Sequence, residues 1–508
     1  MTTLTPRRPN RPLLWPDWIY TLRDVLARAG LHDIYIVGGA VRDALLHRPI
    51  QDLDLVTAGD GISLARLIAN RLNGDFYVLD SERGVGRALV DTPEGRLVVD
   101  VAQLRGQSLT DDLADRDFTV NALAVDITGD LELIIDLLGG ESDLEAKLLR
   151  RCGPQSLADD PVRALRAVRQ SVQFSFRIES ATQDDIRRIA PRLADISPER
   201  LRDELFKLLA LPRPAAALRV ADALGLLGTA LPELTPLHAL EQSAPHIYDA
   251  WTHTLAVVEN LSTVLAALRF NRSDQAVGAF STGMLAIQLD RYRAPLAEHM
   301  DTPWPNERSH RALLMLAALL HDTGKPSTAR LDDRERWRFL GHEAVGAQLA
   351  STRARALRLS TAEADRLRDI VQNHMRVLLL DDPSPRALHR FWRLGAAGVD
   401  VCLLTLADFL GTYGSHIEQD AWLTLIDRVR LTLQAYFDQR DEVVTPPPVV
   451  TGTDLMKLLG LSPGPVIGQL LDAIREAQAA GEVLSLDDAL AFARRRLGHN
   501  GAHEMPNS

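Results

Sequence analysis

A chain of 508 residues is too long for one ordinary hydrophobic core, so about three or four domains are expected. Its 46% hydrophobic and 25% charged residues are the composition of a soluble globular protein. The net charge of −11, taken alone, argues against a nucleic-acid binder, because phosphate contacts need a basic surface. Two cysteines, Cys152 and Cys402, exclude a disulfide framework and a cysteine-rich zinc cluster, which suits a reducing cytoplasm. The opening stretch MTTLTPRRPNRPLLWPDW is basic but has no apolar run long enough for a signal sequence. The longest apolar run, around Leu313 to Leu320, is too short to cross a bilayer. The chain is therefore expected to be cytoplasmic, with no membrane partner.

In chain order, a helix through Ile19 to Ala29 precedes the apolar run Ile34 to Val37, which reads as a strand. The run breaks on Gly38 and Gly39 and restarts as a short helix, AVRDALL. Glycines let backbone N–H groups approach a phosphate, a helix N-terminus favours anions, and Arg42 supplies a guanidinium fork. Then comes DLDL. Asp52 and Asp54, two apart on a strand, share one face while Leu53 and Leu55 point into a core, which makes the acids a platform for a divalent metal. Each signal alone also has a plain reading, the glycines as a turn and the acids as a strand edge facing water. Gly61 to Leu72 has apolar residues at helical spacing, and Phe76 to Leu79 reads as a strand. Arg87 to Val90 and Arg96 to Val101 flank Thr92-Pro93-Glu94-Gly95, a hairpin signal. On the second of these strands Asp100 is either a third acid or a solvated strand end. Ile134 to Leu138 is expected as the last strand, with Gly139 and Gly140 ending the sheet.

GGAVRD followed by DLDL closely resembles the signature of the class II tRNA nucleotidyltransferase and bacterial poly(A) polymerase superfamily, whose head is related to DNA polymerase beta. The resemblance covers residues 31 to 209. It implies Mg²⁺ on Asp52 and Asp54, with Asp100 as the third acid, and Gly38, Gly39 and Arg42 at the phosphates of ATP or CTP. DDLADRDFTVNALA, Asp111 to Ala124, resembles the RRDFTINA motif, in which Arg116 matches the arginine that contacts the triphosphate. The usual preceding arginine is Asp115 here, one cation fewer, while Phe118 and Val120 read as core. DDPVRALRAVRQSVQF resembles the nucleobase-reading helix; there Asp160 and Arg163 would bond the base edge, a carboxylate accepting and a guanidinium donating. Arg163, Arg166 and Arg169 recur every three residues and share roughly one helix face. Together with Arg150 and Arg151 they form a local basic cluster that outweighs the acidic average. Between Val101 and Arg116 only AQLRGQSLTDDLAD intervenes, shorter than the flexible loop of CCA-adding members. That shortness resembles members that add only A, so adenylyl transfer is the leading expectation.

Ser197 and Pro198 start the helix PERLRDELFKLLA, which resembles the family's neck. Further on, HIYDAWTHTLAVVENL, LLMLAALLHDTGKP, FLGHEAVGAQLA, IVQNHM and LLTLADFL resemble an HD-type metal-dependent phosphohydrolase. The resemblance implies His253, His321, Asp322 and Asp408 as ligands of one divalent metal. It adds His342 and His374 for a second, with Asp322 bridging, and brings Lys325 to a phosphate. Two cations about 3.5–4 Å apart can generate a hydroxide and support in-line attack on phosphorus. A charged His-Asp pair ending the apolar helix LLMLAALL should not be buried without partners or metal.

The proline-rich stretch TPPPVV, Thr445 to Val450, marks the last boundary, after which TGTDLMKLLG and GLSPGPVIGQLLD resemble the C-terminal piece of HD-containing tRNA nucleotidyltransferases. The expected fold is α+β, a polymerase-beta-like head followed by a mostly helical neck, an HD domain and a helical tail. The expected divisions are 1–30, an N-terminal helix and extension; 31–150, the head; 151–240, the neck; 241–440, the HD domain; 441–497, the tail domain; and 498–508, a disordered tail. The expected function is template-independent nucleotidyl transfer to the 3′ end of tRNA, CCA- or A-adding, with an HD phosphohydrolase that could trim 2′,3′-cyclic or 2′-phosphates. Poly(A) tailing of other RNA, a phosphohydrolase with a degenerate head, and a non-catalytic RNA-binding scaffold remain open alternatives.

Overall fold

The computed structural model describes residues 5–50, 52–92, 95–269, 280–381 and 383–501. The chain divides into two compact units, one of residues 1–196 and 220–230, the other of residues 197–219 and 231–508. This division falls inside the stretch read from sequence as the neck.

The first unit opens with α1 (Asp17–Arg28), β1 (Ile34–Val37), α2 (Gly39–Leu46), β2 (Asp52–Thr57) and α3 (Gly61–Arg71). Next come β3 (Asp75–Asp80), β4 (Val85–Thr92), β5 (Gly95–Gln103), α4 (Leu109–Ala114), β6 (Leu123–Asp126) and β7 (Ile135–Asp136). The strands form one seven-stranded sheet in the order β3-β4-β5-β2-β1-β6-β7, and β2 runs parallel to β5. Strand alternation sends Leu53 and Leu55 into the core, at 0% and 1% exposure, and Asp52 and Asp54 to the other face. On the apolar face α3 sits close: a Cβ on Gly86 would meet Ala65 Cβ at 2.7 Å, and one on Gly61 would meet Val101 O at 2.9 Å. Phe118 and Val120 are core residues as expected.

Two local expectations are corrected. The last strand is only Ile135–Asp136, because the Asp136 carboxylate accepts from the N–H groups of Gly140 and Glu141 and turns the chain into α5 (Gly140–Glu145). The short loop before Arg116 is largely regular structure. Only residues 104–108 separate β5 from α4, and they are pinned by Ser108, which caps α4, and by Asp112, which accepts from the N–H of Arg105. Residues 93–94 of the hairpin turn lie outside the described residues. Beyond α5 come β8 (Leu148–Leu149), α6 (Ser156–Asp159), α7 (Val162–Phe174) and β9 (Arg177–Ile178). The basic cluster is also partly spent on ion pairs: Arg150 binds Asp143 at 2.8 Å, and Arg151 binds Asp185.

The second unit is mostly helical, with one two-stranded sheet of Arg330–Leu331 and Trp337–Arg338. Its core is built on helices Ala250–Ala267, His310–Leu320, His342–Ala356, Thr361–Asn373 and Ala397–Tyr413. Ala312 through Leu320 are all buried, which explains why that segment is apolar on every side. The stretch Ala397–His416 is long and apolar enough to cross a membrane by composition, but 78% of it is buried inside the protein, as in a core helix. Three further helices, Gly452–Leu459, Pro465–Ala479 and Leu486–Gly501, close around their own core, which includes Leu455, Leu470, Ile474 and Leu490. The last helix runs to Gly501, past Leu497 where the disordered tail was expected; residues 502–508 lie outside the described residues.

Helix Thr361–Asn373, which leads directly into His374, is fixed at its start by Glu363. This residue completes a capping box with Ser360 and accepts both Arg308 Nε at 2.6 Å and Arg308 Nη2 at 2.5 Å. Burial pushes its pKa up, but Arg308 and Ser360 prevail and hold it at about 2. The folded pKa is thus below the unfolded value of about 4.3, so the pair's stabilisation is complete above that pH and is lost as pH falls towards 2. Glu363→Ala should lower stability by about 3 kcal/mol at pH 7 in denaturant melts, and the difference from wild type should shrink between pH 4 and 2. An equal gap at both pH values would contradict this role.

Candidate functional site

On the sheet face opposite α3, Asp54 is in register with Asp100 on β5, and Asp100 with Arg87 on β4, so Asp52, Asp54, Asp100 and Arg87 share one face. Desolvation by the surrounding protein raises the pKa of Asp54 although its tip reaches solvent. Arg116 and Arg166 oppose the rise, Asp100 and Asp52 add to it as like charges, and the net direction is upward. Such a group gains from a bound cation. Asp100 is the third acid by position, yet Arg87 occupies both its oxygens, Nε to Oδ1 at 2.5 Å and Nη2 to Oδ2 at 2.7 Å.

Gly38 makes the turn out of β1 with φ +74°, and a Cβ there would lie 2.9 Å from Arg116 Nη1 and 3.5 Å from Asp54 Oδ2. Glycine is required on both counts, and the contact shows that Gly38, Asp54 and Arg116 converge. Arg116 gives Nε and Nη2 to Asp112 Oδ2, at 3.1 and 2.9 Å, which leaves Nη1 directed at Gly38. Gly39 opens α2. Arg42 departs from expectation. It is buried, donates to both oxygens of Asp43 and to Asn121 Oδ1 at 2.6 Å, and stacks over Phe174, so its fork holds the protein together. Asp115 turns aside to Arg105 Nη1 at 3.1 Å.

Asp117, Asn121 and Gln170 were not singled out from sequence. Asn121 Nδ2 donates to Asp117 Oδ1 at 2.9 Å and to Gln170 Oε1 at 3.1 Å, while Arg166 Nε pairs with Asp117 Oδ2 at 2.7 Å. Burial would raise the Asp117 pKa, but Arg166, Asn121 and the Phe118 N–H hold it below the usual carboxylate value. An acid directly before the core residue Phe118 was the available signal. Arg163 also differs from a free base reader: it donates to the carbonyls of Arg116, Ser156 and Asp115, at 3.2, 3.2 and 2.9 Å. It thereby fastens the backbone that carries Arg116, with Asp160 Oδ2 3.9 Å from its Nε. Arg169 donates to Gln173 Oε1 at 3.1 Å, further along α7.

In the second unit all six expected residues come together. His253, His321, Asp322, His342, His374 and Asp408 are buried, and Asp322 joins two groups, one with His253 and His321, the other with His342 and His374. His253 Nε2 lies 3.1 Å from Asp408 Oδ1 and 3.4 Å from Asp322 Oδ2; His321 Nε2 is 3.1 Å from Asp322 Oδ2. His342 Nε2 lies 3.4 Å from Asp322 Oδ1 and 3.3 Å from His374 Nε2. The Nδ1 atoms of His321, His342 and His374 each face a carbonyl three residues earlier, at 2.7, 2.8 and 2.7 Å, which turns Nε2 towards the cluster. Among the described residues, His253 Nε2 and His321 Nε2 are buried without a well-formed hydrogen bond, and Asp322 Oδ2 meets only the Lys325 ammonium besides these imidazoles. Two imidazole nitrogens left in this way beside the Asp322 and Asp408 carboxylates fit a divalent cation. Burial opposes charge on His253, yet Asp322 and Asp408 raise its pKa to about 9, whereas burial and the adjacent His321 lower His374 to about 4.

Lys325, expected at a phosphate, is buried with Nζ 2.6 Å from Asp322 Oδ2 and 2.7 Å from Gln242 Oε1. His246, 3.5 Å from that Nζ, is a further neighbour not anticipated from sequence. Gly324 shows why glycine follows the His-Asp pair: its φ is ordinary, but a Cβ would fall 2.0 Å from His342 O and 2.7 Å from Gly346 N.

A sheet-borne acid pair facing arginines, joined in one chain to a helical His/Asp cluster, defines a polymerase-beta-like nucleotidyltransferase head with an HD module. Family models agree: the Poly A polymerase head domain matches residues 34–150, and the probable RNA and SrmB-binding site of polymerase A matches 175–237. The HD domain matches 279–408, and the putative tRNA nucleotidyltransferase domain 2 matches 420–493. The A-adding tRNA nucleotidyltransferase of Deinococcus radiodurans is 34% identical over 484 residues, 93% of this chain and 96% of that one. The CC-adding tRNA nucleotidyltransferase of Thermus thermophilus is 34% identical over 469 residues, 91% and 93% of the two chains. A solved CCA-adding enzyme with ATP shares the fold at a TM-score of 0.59 and 19% identity, over 95% of each chain. The chain belongs to the tRNA nucleotidyltransferase family.

Gly324→Ala should push His342 out of the cluster and lower the metal bound per chain, read by elemental analysis after dialysis against Mn²⁺. Full occupancy with unchanged affinity would refute the steric account.

Proposed function

We propose that this chain adds nucleotides to the 3′ end of tRNA without a template, transferring adenylate from ATP to a tRNA that already ends in CC. The observation that carries this reading is the convergence of Gly38, Asp54 and Arg116 beside Asp52. The RNA 3′-oxygen forms a bond to the α-phosphorus, the bond to the leaving pyrophosphate breaks, and the hydroxyl proton goes to solvent. Asp52 and Asp54 are proposed to hold Mg²⁺, which when bound supplies charge neutralisation for the triphosphate and acidifies the attacking hydroxyl. Gly38 leaves space for phosphate oxygens, and Arg116 Nη1 faces that space. Gly39, at the start of α2, offers a helix N-terminus to the same anion. Arg166 extends the positive field towards Asp54. Asp160 and Arg163 are the base-edge readers in this reading, with Arg163 also holding Arg116 in place. Arg42 acts by bracing α2.

A second reading, CC addition, is favoured by the Thermus relative, whose identity to this chain is the same 34% as that of the A-adding one. Under either reading the site lies in a cytoplasmic protein. In the second unit we propose a metal-dependent phosphohydrolase acting on 2′,3′-cyclic or 2′-phosphates of RNA ends. His253, His321, Asp322 and Asp408 would hold one divalent cation, and His342 and His374 would complete a second site with Asp322.

Labelled ATP and CTP should be offered to tRNA transcripts lacking CCA, CA or A. Adenylate on the CC-ending transcript alone is expected; CMP on the shortest transcript selects the second reading, and no incorporation on any of them overturns both. Asp52→Ala combined with Asp54→Ala should reduce incorporation by at least about three orders of magnitude while leaving hydrolysis of a 2′,3′-cyclic nucleotide intact. Asp160→Ala should narrow the preference between ATP and CTP, and an unchanged ratio would remove Asp160 from base reading.

A further inference from the structure

The catalytic face of the sheet extends beyond the acids. Cross-strand register places Tyr77 on β3 beside Arg87 on β4, Arg87 beside Asp100 on β5, and Asp100 beside Asp54 on β2, so the four side chains form one row on one face. Asp100 pins the Arg87 guanidinium with two hydrogen bonds, and Arg87 Nη1 donates to Tyr77 Oη at 3.3 Å. Tyr77 is 41% exposed on β3, the edge strand. The row presents a fixed cation and a part-exposed aromatic ring, which has the Arg87 guanidinium 5.9 Å from its centre, the pair of groups that single-stranded nucleic acid uses for phosphate contact and base stacking.

The direction of the row matters. Gly38 and α2 follow β1, which lies on one side of β2, whereas Arg87 and Tyr77 lie on the other side, beyond β5. In-line displacement places the attacking oxygen opposite the leaving group, so RNA must enter from the side of the acids away from the triphosphate. The β5–β4–β3 side is that side. Strand spacing sets Arg87 about 10 Å and Tyr77 about 14 Å from Asp54 across the sheet, within reach of the last nucleotides of an RNA whose 3′-hydroxyl sits at the acids.

We propose that Arg87 and Tyr77 seat the 3′-terminal segment of the RNA, Arg87 on a backbone phosphate and Tyr77 against a base. Asp100 then orients Arg87 and leaves the metal to Asp52 and Asp54. The proposal rests on the transferase reading above, and direct binding separates their fates. Fluorescence anisotropy with a tRNA transcript ending in CC should show Tyr77→Ala binding about tenfold more weakly and Tyr77→Phe close to wild type, since the ring face does the work. Arg87→Gln should weaken binding and lower the slope of log affinity against log salt by about 0.7, the loss of one single-strand phosphate contact. Steady-state assays should show the loss in KM for tRNA with KM for ATP unchanged. Unaltered affinity in Tyr77→Ala, a change at a 41%-exposed side chain on the edge strand, overturns the seat. A rise in KM for ATP instead assigns the row to the incoming nucleotide and overturns it too. A wild-type chain that binds tRNA but incorporates nothing defeats the transferase reading, and the binding comparison still decides this one.

Discussion

Three carboxylates held on one face of one sheet repel one another, and the arrangement of the first unit follows from how that repulsion is relieved. Asp54, crowded and beside Asp52 and Asp100, holds its proton more tightly than an ordinary aspartate. Arg87 neutralises Asp100, and Arg116 and Arg166 reach Asp54 from the opposite direction. What remains is an exposed acid pair whose charge calls for a divalent cation. The second unit meets the same constraint with imidazoles: Asp322 and Asp408 are buried among four histidines, and both carboxyls are held well below the usual range despite burial.

Arg42, Arg163 and Arg166 each hold the fold of the first unit in place. Arg42, Asn121, Asp117 and Arg166 form a chain of hydrogen bonds and ion pairs that ties α2, the segment after Arg116 and α7 together, and Gln170 joins it from α7. Arg163 clamps the carbonyls around Arg116. The guanidinium left facing the acids, Arg116 Nη1, is placed there by its neighbours, with Asp112 holding the other two nitrogens. A buried charge without such partners is costly, so a motif rich in Arg and Asp at moderate burial reads as mutual support.

Much of this was legible because local rules were enough. Two-residue alternation placed Asp52 and Asp54 opposite Leu53, and the break at Gly38 and Gly39 marked the turn into α2; the His and Asp cluster that the helices assemble was legible through the resemblance to HD-type phosphohydrolases. The failures have two causes, one remote and one local. Arg42, Arg150 and Arg151 looked available because their partners Asn121, Asp143 and Asp185 lie too far along the chain, or on another element, for spacing to reveal. The strand expected at Ile134 to Leu138 was cut short by Asp136 accepting from N–H groups four and five residues ahead.

Sequence by itself determined which residue types could do chemistry here: two acids on one strand face, a glycine turn beside a helix, and a His-Asp pair at the end of an apolar helix. These follow from periodicity and side-chain chemistry, which are local. Tertiary structure alone decided which charges are already paired. It gave Asp100 to Arg87 and Arg42 to Asn121, turned one nitrogen of Arg116 towards Gly38, and set Lys325 against Asp322. Pairing depends on distances of a few ångströms between elements remote in sequence, and those distances exist only once the sheet and the helices have packed.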